Sequence, residues 1–136
     1  MKISKNKYSI TDEASAIDID AVQKLLSTSY WASNRCIETI KKSIEHSVCF
    51  SLFYESEQIG FARIVTDFAT TGYLADVIID NKYRGDGLGK WFVKTIIEDK
   101  RWDDMLLLLV TGDAHKLYEK YGFKNSERVM IKGKIE

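Results

Sequence analysis

The sequence DVIIDNKYRGDGLGK, Asp76–Lys90, joins a short apolar run to a turn that has glycine at every second position. The run Val77–Ile79 is typical of the end of a buried strand. The glycines of the turn are Gly85, Gly87 and Gly89. From position 88 onward, mostly apolar side chains recur at the spacing of one helix face, at Leu88, Trp91, Phe92, Thr95 and Ile96. The stretch therefore predicts a strand, a glycine-rich turn and the N-terminus of a helix, in that order.

This turn has the properties of an anion-binding site. The first turn of a helix presents unpaired N–H groups and the positive end of the helix dipole. Glycine lets a ligand approach the backbone without a Cβ in the way. Lys82, Arg84 and Lys90 add positive charge, which only Asp86 opposes. The alternative is that the glycines serve only the geometry of a tight turn, but we predict that the turn binds phosphate oxygens.

The spacing within the turn distinguishes between the known phosphate-binding motifs. A P-loop would require glycine at position 84 and serine or threonine at position 91, where this chain has Arg84 and Trp91. The dinucleotide-binding pattern G-x-G-x-x-G fails as well, whether it is counted from Gly85 or from Gly87. The pattern R-x-x-G-x-G, formed by Arg84, Gly87 and Gly89, resembles the acetyl-CoA pyrophosphate loop of the GNAT superfamily of N-acetyltransferases.

The composition limits the classes of function. A chain of 136 residues predicts one domain, spanning residues 1–136. Lysine plus arginine equals aspartate plus glutamate, so the net charge is zero and we expect no nucleic-acid partner. No apolar stretch approaches a membrane span or a signal peptide, so we expect a cytoplasmic protein without a membrane partner. Cys36 and Cys49 form neither a metal-binding spacing nor a disulfide framework, and we expect no metal.

The rest of the sequence predicts an α+β domain. Strands are expected at Lys7–Thr11, Val48–Tyr54, Ile59–Thr66, Tyr73–Ile79, Met105–Val110 and Val129–Ile135. Helices are expected after a cap at Asp18 or Asp20, around Ile37–Ile44, from near Gly87, and at Ala114–Lys120 after a cap at Asp113 and before Gly122. The continuous apolar run Met105–Val110 indicates a strand buried on both faces. The resulting order is an antiparallel β-meander followed by β-α-β-α-β, a mixed sheet flanked by helices, which matches the GNAT arrangement.

A second motif carries the same resemblance. The segment Leu117–Phe123, LYEKYGF, is similar to the signature helix of the family. The resemblance implies that Tyr118 protonates the departing coenzyme A thiolate, although the ring could instead be a core residue with a satisfied hydroxyl. It also implies that a strand end splays from the next parallel strand and pairs with the pantetheine arm. The residues that it assigns to acetyl-CoA are Val77, Ile78, Ile79, Arg84, Gly85, Asp86, Gly87, Leu88, Gly89 and Lys90.

The group that deprotonates the acceptor amine is less defined. Asp76 is the first candidate for the base, because an unpaired carboxylate inside an apolar strand would be costly. Asp76 could instead be structural and accept hydrogen bonds from backbone or from an arginine such as Arg63. Asp67, at a strand end, is a second acidic candidate, and a water chain is a third. His115 follows Asp113, but a lone histidine near a helix start is more often at the surface.

The resemblance places Tyr30, Trp31, Phe68 and Tyr73 in the loops that wall the acceptor site. With Asp67 and Asp76 nearby, such a pocket would suit a primary amine with an apolar body, on a small molecule or a peptide. We therefore expect an N-acetyltransferase that works by direct attack in a ternary complex. The alternative is a non-catalytic acyl-CoA-binding or regulatory domain. The sequence also leaves open a homodimer, because an exposed final strand could pair with the same strand of a second copy.

Overall fold

The structure, a computed structural model, describes residues 1–134 and forms one six-stranded sheet over that range. The strands are β1 (Lys2–Lys5), β2 (Tyr8–Thr11), β3 (Val48–Tyr54), β4 (Glu57–Thr66), β5 (Thr71–Ile79) and β6 (Leu106–Leu109). The helices are α1 (Ile19–Ser27), α2 (Ile37–Glu45), α3 (Leu88–Ile97) and α4 (His115–Glu119). Short 3-10 turns lie at Ala14–Ala16, Asn81–Tyr83 and Lys100–Trp102.

The strands follow one another across the sheet in chain order, β1-β2-β3-β4-β5-β6. The first five pair antiparallel with their neighbours. β6 pairs parallel with β5, and helix α3 makes the crossover between them. The predicted α+β order with one parallel crossover is therefore confirmed.

Both faces of the central strands are buried. One apolar cluster contains Phe50, Phe92 and Trp102 and lies on the side of α3. The other contains Leu26 and Phe61 and lies on the side of α1 and α2. Adjacent residues of one strand point into opposite clusters, as the two-residue period of a strand requires. No helix within residues 1–134 has the length and apolar character needed to cross a membrane.

Strand β5 contains the irregularity that shapes the site. Phe61 pairs with Ile78 and Arg63 pairs with Ala75, so Asp76 and Val77 together stand opposite a single residue of β4. This is a β-bulge, which bends a strand and redirects its side chains. Asp76 has φ +56°, in the left-handed region that aspartate tolerates better than most residues.

The N-terminal and C-terminal strand predictions require correction. The predicted first strand Lys7–Thr11 is β2, and the chain begins with an unpredicted strand β1 whose four residues are all exposed. Because no side chain of β1 is buried, its sequence lacks the alternation that marks a strand. The predicted strand Val129–Ile135 was wrong over residues 129–134, which contain no strand, and Ile135 lies outside the described residues. Gly133 has φ +109°, which interrupts an extended run.

The interpretation of Met105–Val110 as a strand buried on both faces was also wrong. Only Leu106–Leu109 pair with β5, and Leu106 is 61% exposed. β6 is the last strand of the sheet in the part of the chain that the structure describes, so one side of it has no neighbouring strand. The apolar composition of the run is that of a central strand, but its position is that of an edge.

The two ends of α4 differ in how well the sequence predicted them. The N-terminal cap was wrong, because Thr111 Oγ rather than Asp113 accepts the hydrogen bond from the Ala114 amide, at 3.0 Å. At the other end Gly122 has φ +93°. The Gly122 amide donates to Glu119 O and the Phe123 amide to Tyr118 O, each at 3.3 Å. This is a Schellman motif, so the prediction that Gly122 ends the helix is confirmed.

Candidate active site

A cleft opens where β5 and β6 stop pairing. The parallel ladder ends at Leu74 and Leu109, whereas β5 continues to Ile79. The cleft has a volume of about 960 Å³. Its walls come from β5, from β6 and the segment after it, from the loop after α1, and from residues near the C-terminus. Beyond Leu74, β5 therefore has no strand partner on the side that faces the cleft.

The strand end assigned to the pantetheine arm is only partly at this cleft. Val77 lines it, and Val77 and Ile78 line a smaller adjoining pocket of about 220 Å³. Ile79 packs in the core, and its carbonyl oxygen accepts a hydrogen bond from Arg84 Nε at 3.1 Å. That bond ties the glycine-rich turn to the end of β5.

The turn itself has the geometry expected of an anion-binding site. Gly85 and Gly87 have φ of +101° and +76°, and Gly87 is the N-cap of α3. Within residues 1–134, the backbone amides from Gly85 to Lys90 have no hydrogen-bond acceptor. Six consecutive unpaired N–H groups at a helix N-terminus favour an anionic ligand.

The charge around the turn includes a residue that the sequence did not identify. The side chain of Lys120, just after α4, lies beside that of Lys90, and the proximity of the Lys90 ammonium lowers the pKa of Lys120. The hydroxyl of Tyr121 donates to Lys90 O at 3.2 Å, which holds α4 against α3. Two adjacent ammonium groups repel each other, and an anion placed between them would relieve the repulsion.

Tyr118 lines the cleft from α4. Its ring packs edge-on against Phe123, with the ring centroids 5.9 Å apart, and the side chain is largely buried. Burial, followed by the nearby charge of Asp113, raises the pKa of Tyr118 to about 12. The phenol therefore stays protonated at neutral pH. Its hydroxyl has no hydrogen-bond partner among residues 1–134, so it is free to donate to a group in the cleft.

Asp76 lies at the floor of the cleft and accepts three hydrogen bonds. Trp31 Nε1 donates to Oδ1 at 2.9 Å, and Arg35 Nη1 and Arg63 Nε each donate to Oδ2 at 2.7 Å. Burial disfavours the charged carboxylate, but the guanidinium groups of Arg63 and Arg35 outweigh it and hold the pKa of Asp76 below its ordinary value. A carboxylate with a lowered pKa and three donors is a poor proton acceptor, so this geometry favours the structural interpretation.

The aromatic and acidic residues predicted for the acceptor site separate into two groups. Tyr30, Trp31 and Tyr73 line the cleft, and the Gly112 amide donates to Tyr30 Oη at 3.2 Å. Asp67 and Phe68 do not line it. Asp67 Oδ1 instead accepts from the Thr70 amide at 2.8 Å, and bonds of this kind to the β4–β5 turn lower the pKa of Asp67. Phe68 is 63% exposed in the same turn.

Asp113 is in the cleft although the sequence suggested only a capping role for it. Its carboxylate has no hydrogen-bond or ion-pair partner in the described part of the chain, and it lines both the main cleft and the adjoining pocket. His115 is exposed at the first residue of α4. No group of three or more histidine, cysteine or acidic side chains within residues 1–134 has a metal-binding arrangement.

Comparisons with known proteins agree with this arrangement. The family model of the acetyltransferase (GNAT) domain matches residues 45–125. The spermine/spermidine N(1)-acetyltransferase of Bacillus subtilis is 28% identical over 96% of this chain and 99% of its own. A GNAT-family protein of Xanthomonas campestris has a TM-score of 0.88 with 29% identity, covering 94% of both chains.

A more distant structure shares the fold. A GNAT-family acetyltransferase of Elizabethkingia anophelis, solved with acetyl-CoA bound, has a TM-score of 0.68 with 20% identity, covering 90% of this chain and 80% of its own. The matched segment 45–125 contains the glycine-rich turn, strands β3–β6 and helix α4, and it contributes most of the residues that line the cleft. The chain belongs to the GNAT family of acetyltransferases.

Proposed function

We propose that this protein transfers the acetyl group of acetyl-CoA to a primary amine, by direct attack of the amine in a ternary complex. The proposal rests mainly on two features of the chain, an anion-binding turn and an unpaired strand edge beside a cleft. The unpaired amides of Gly85–Lys90 follow the end of β5, which has no parallel partner beyond Leu74, and Tyr118 lines the cleft at that strand with a free hydroxyl. The acetyl-CoA bound to the Elizabethkingia protein supports the same donor here.

Each part of the donor has a chemical match in the chain. The amides of the turn would hold the pyrophosphate, with Lys82, Arg84 and Lys90 adding positive charge. Backbone groups of β5 beyond Leu74 would pair with the amide-containing pantetheine arm as a strand edge does. The thioester would then lie in the cleft, near Tyr118.

The proposed chemistry has one step of bond exchange. The amine nitrogen bonds to the thioester carbonyl carbon, and the carbon–sulfur bond breaks to release the thiolate of coenzyme A. Tyr118 donates a hydrogen bond to the sulfur as its negative charge develops. The proton that the amine loses passes to Asp113, directly or through water, because Asp113 is the cleft carboxylate without a partner in residues 1–134. Asp76 positions Trp31, Arg35 and Arg63.

The direct test is thiol release from acetyl-CoA with a panel of amines. The panel includes spermidine, because a relative is named for acetylating spermine and spermidine. Tyr118→Phe should lower kcat about 100-fold while acetyl-CoA affinity, measured by calorimetry, is retained. Tyr54→Phe is the matched control, because Tyr54 packs against Tyr8 and Tyr83 and does not line the cleft.

The rival is a non-catalytic acyl-CoA-binding domain. Acetyl-CoA binding without thiol release on any amine of the panel would favour that rival. Absence of acetyl-CoA binding would contradict both, since both rest on the turn at Gly85–Lys90.

A further inference from the structure

The lining of the cleft carries more positive than negative charge. The charged residues that line the cleft are Arg35, Arg63, Lys132, Lys134, Asp76 and Asp113, four cations against two anions. Asp76 is ion-paired with both arginines, although one guanidinium would neutralise it. The buried cluster therefore keeps one uncompensated positive charge, and an acceptor that entered the cleft would meet it.

The two arginines also have hydrogen-bond donors left over. Arg35 uses Nη1, and Arg63 uses Nε for Asp76 and Nη1 for Ser47 Oγ. Arg35 Nε and Nη2 and Arg63 Nη2 have no partner within residues 1–134. Ser51 Oγ is the one fully buried side-chain nitrogen or oxygen without a partner in that range, so these arginine nitrogens retain some contact with solvent.

The cluster is held in place before any ligand binds. Asp76 sits in the β-bulge and is nearly inaccessible, and it orients Arg35, from the loop before α2, and Arg63, from β4. Trp31 and Ser47 provide the remaining contacts. Guanidinium groups fixed in this way bind carboxylate and phosphate well, since the planar fork matches both anions and little side-chain entropy is lost.

We propose that the acceptor is a primary amine that also carries an anionic group, a carboxylate or a phosphate, which Arg35 and Arg63 bind. This inference rests on the proposed acetyltransferase function and names its substrate class. It differs from the expectation of an amine held by acidic residues, because Asp67 lies outside the cleft and Asp76 is already paired. A polyamine, which is cationic throughout, would be repelled by the positive charges that line the cleft.

The test compares acceptors that differ only in the anionic group. The pairs are β-alanine with β-alaninamide, 4-aminobutanoate with 4-aminobutanamide, and phosphoethanolamine with ethanolamine, with spermidine as the cationic reference. At least one anionic member should have a kcat/KM about ten-fold or more above its neutral partner and above spermidine. Equal or better use of the neutral amines or of spermidine would overturn the inference.

Variants of Arg35 test whether the preference for anionic acceptors depends on the cluster of Arg35, Arg63 and Asp76. Arg35→Gln should reduce the ratio of kcat/KM within the preferred pair to near one, with acetyl-CoA affinity and thermal melting measured to show that the protein is folded and loaded. Arg35→Lys keeps the charge without the fork and should give an intermediate ratio. Lys41→Gln removes one positive charge from an exposed position of α2 and should leave the ratio unchanged. A ratio that Arg35→Gln does not alter would contradict the assignment.

A binding measurement tests the anion site without requiring the protein to catalyse acetyl transfer. N-acetyl-β-alanine and N-acetyl-β-alaninamide are titrated into the protein saturated with coenzyme A, and binding is measured by calorimetry. Tighter binding of the anionic acetamide, lost in Arg35→Gln, would uphold the anion site even if no amine were acetylated and the proposed function failed. Equal binding of the two would overturn the anion site whatever the activity.

Discussion

Asp76 is a residue whose charge and backbone conformation have to be considered separately. Its φ of +56° is tolerated by both aspartate and asparagine, so Asp76→Asn removes the charge and keeps the shape and the bulge. The change would leave Arg35 and Arg63 together without a carboxylate. We expect a loss of about 3 kcal/mol in the free energy of unfolding at pH 7, measured by urea denaturation.

The same substitution has a predicted pH dependence. Because the pKa of Asp76 is lower in the folded protein, the unfolded chain binds the proton more readily. The stabilisation is therefore complete above the unfolded pKa of about 4 and is lost as the pH falls through the folded value. The stability difference between the original protein and Asp76→Asn should narrow below about pH 4. A difference that stayed constant from pH 7 to pH 3 would contradict this account.

Ser51 provides a prediction of the opposite sign. Its hydroxyl oxygen is buried on β3 without a hydrogen-bond partner in residues 1–134, between strands that are otherwise well packed. A buried unsatisfied hydroxyl is unfavourable, so Ser51→Ala should raise the free energy of unfolding by about 1 kcal/mol. Thr11→Val, which removes a hydroxyl that is bonded to Met1 O at 3.1 Å, is the control and should not stabilise. A lower melting temperature for Ser51→Ala would show that the hydroxyl has a partner, such as bound water.

The local features of the candidate site were predictable from the sequence, whereas contacts between distant segments were not. The turn from Arg84 to Lys90 is a continuous segment whose glycines, charges and helix start are visible together. Arg35 was not identified, because it reaches Asp76 across 41 positions of sequence. Arg63 was considered only as a structural partner of Asp76, and its remaining donor appears only once Ser47 and Asp76 are placed in space.

The N-terminus of α3 contains two glycines with different physical roles. Gly87 has φ +76°, so Gly87→Ala should lower the free energy of unfolding by about 1 kcal/mol and displace the first-turn amides that would bind pyrophosphate. Gly89 lies within α3, and a Cβ there would only touch Ile79 Cδ1 at 3.8 Å, on the side of the sheet. Gly89→Ala should therefore gain up to about 1 kcal/mol from helix propensity.

The two variants are best compared by acetyl-CoA titration calorimetry together with thermal melting. Gly89→Ala should bind acetyl-CoA within about two-fold of the original affinity, because the added methyl group would contact Ile79 and residue 89 keeps a helical backbone. Gly87→Ala should bind about ten-fold more weakly. Equal affinities for both variants would mean that the turn does not need the left-handed residue to bind its ligand.

Most elements were predictable because their periodicity is strong. Helices α1 and α2 and strands β3–β5 agree with the expected segments to within two residues. Strand β1 was missed and strand β6 was misinterpreted, because the burial of a strand depends on its position in the sheet. An exposed strand such as β1 has no apolar face to detect, and an apolar run such as Leu106–Leu109 does not reveal that it lies at an edge.

The two apolar clusters share one sheet. Phe50 and Cys49 are neighbours on β3 but belong to opposite clusters, and Ile79 and Ile78 on β5 do the same. Loss of either cluster would expose one face of the same strands, so we expect a single cooperative unfolding transition. Far-UV circular dichroism and tryptophan fluorescence should give coincident melting curves, since Trp102 reports on one cluster and Trp31 on the other. Separated curves would show that the clusters unfold independently.

Ligand binding should stabilise this single unit as a whole, because the proposed donor site joins α3 and α4 to the central strand β5. At a concentration 100 times its Kd, acetyl-CoA should add about 2.7 kcal/mol to the free energy of unfolding, which for a chain of this size raises the melting temperature by about 10 °C. Pantetheine, which lacks the pyrophosphate, is the matched control and should give a much smaller shift at the same concentration, because it cannot use the amides of Gly85–Lys90. Equal shifts for the two ligands would place the binding energy in the cleft rather than at the N-terminus of α3. Arg35→Gln should melt at a lower temperature without ligand, yet show the same acetyl-CoA shift, because we assign Arg35 to the acceptor and not to acetyl-CoA.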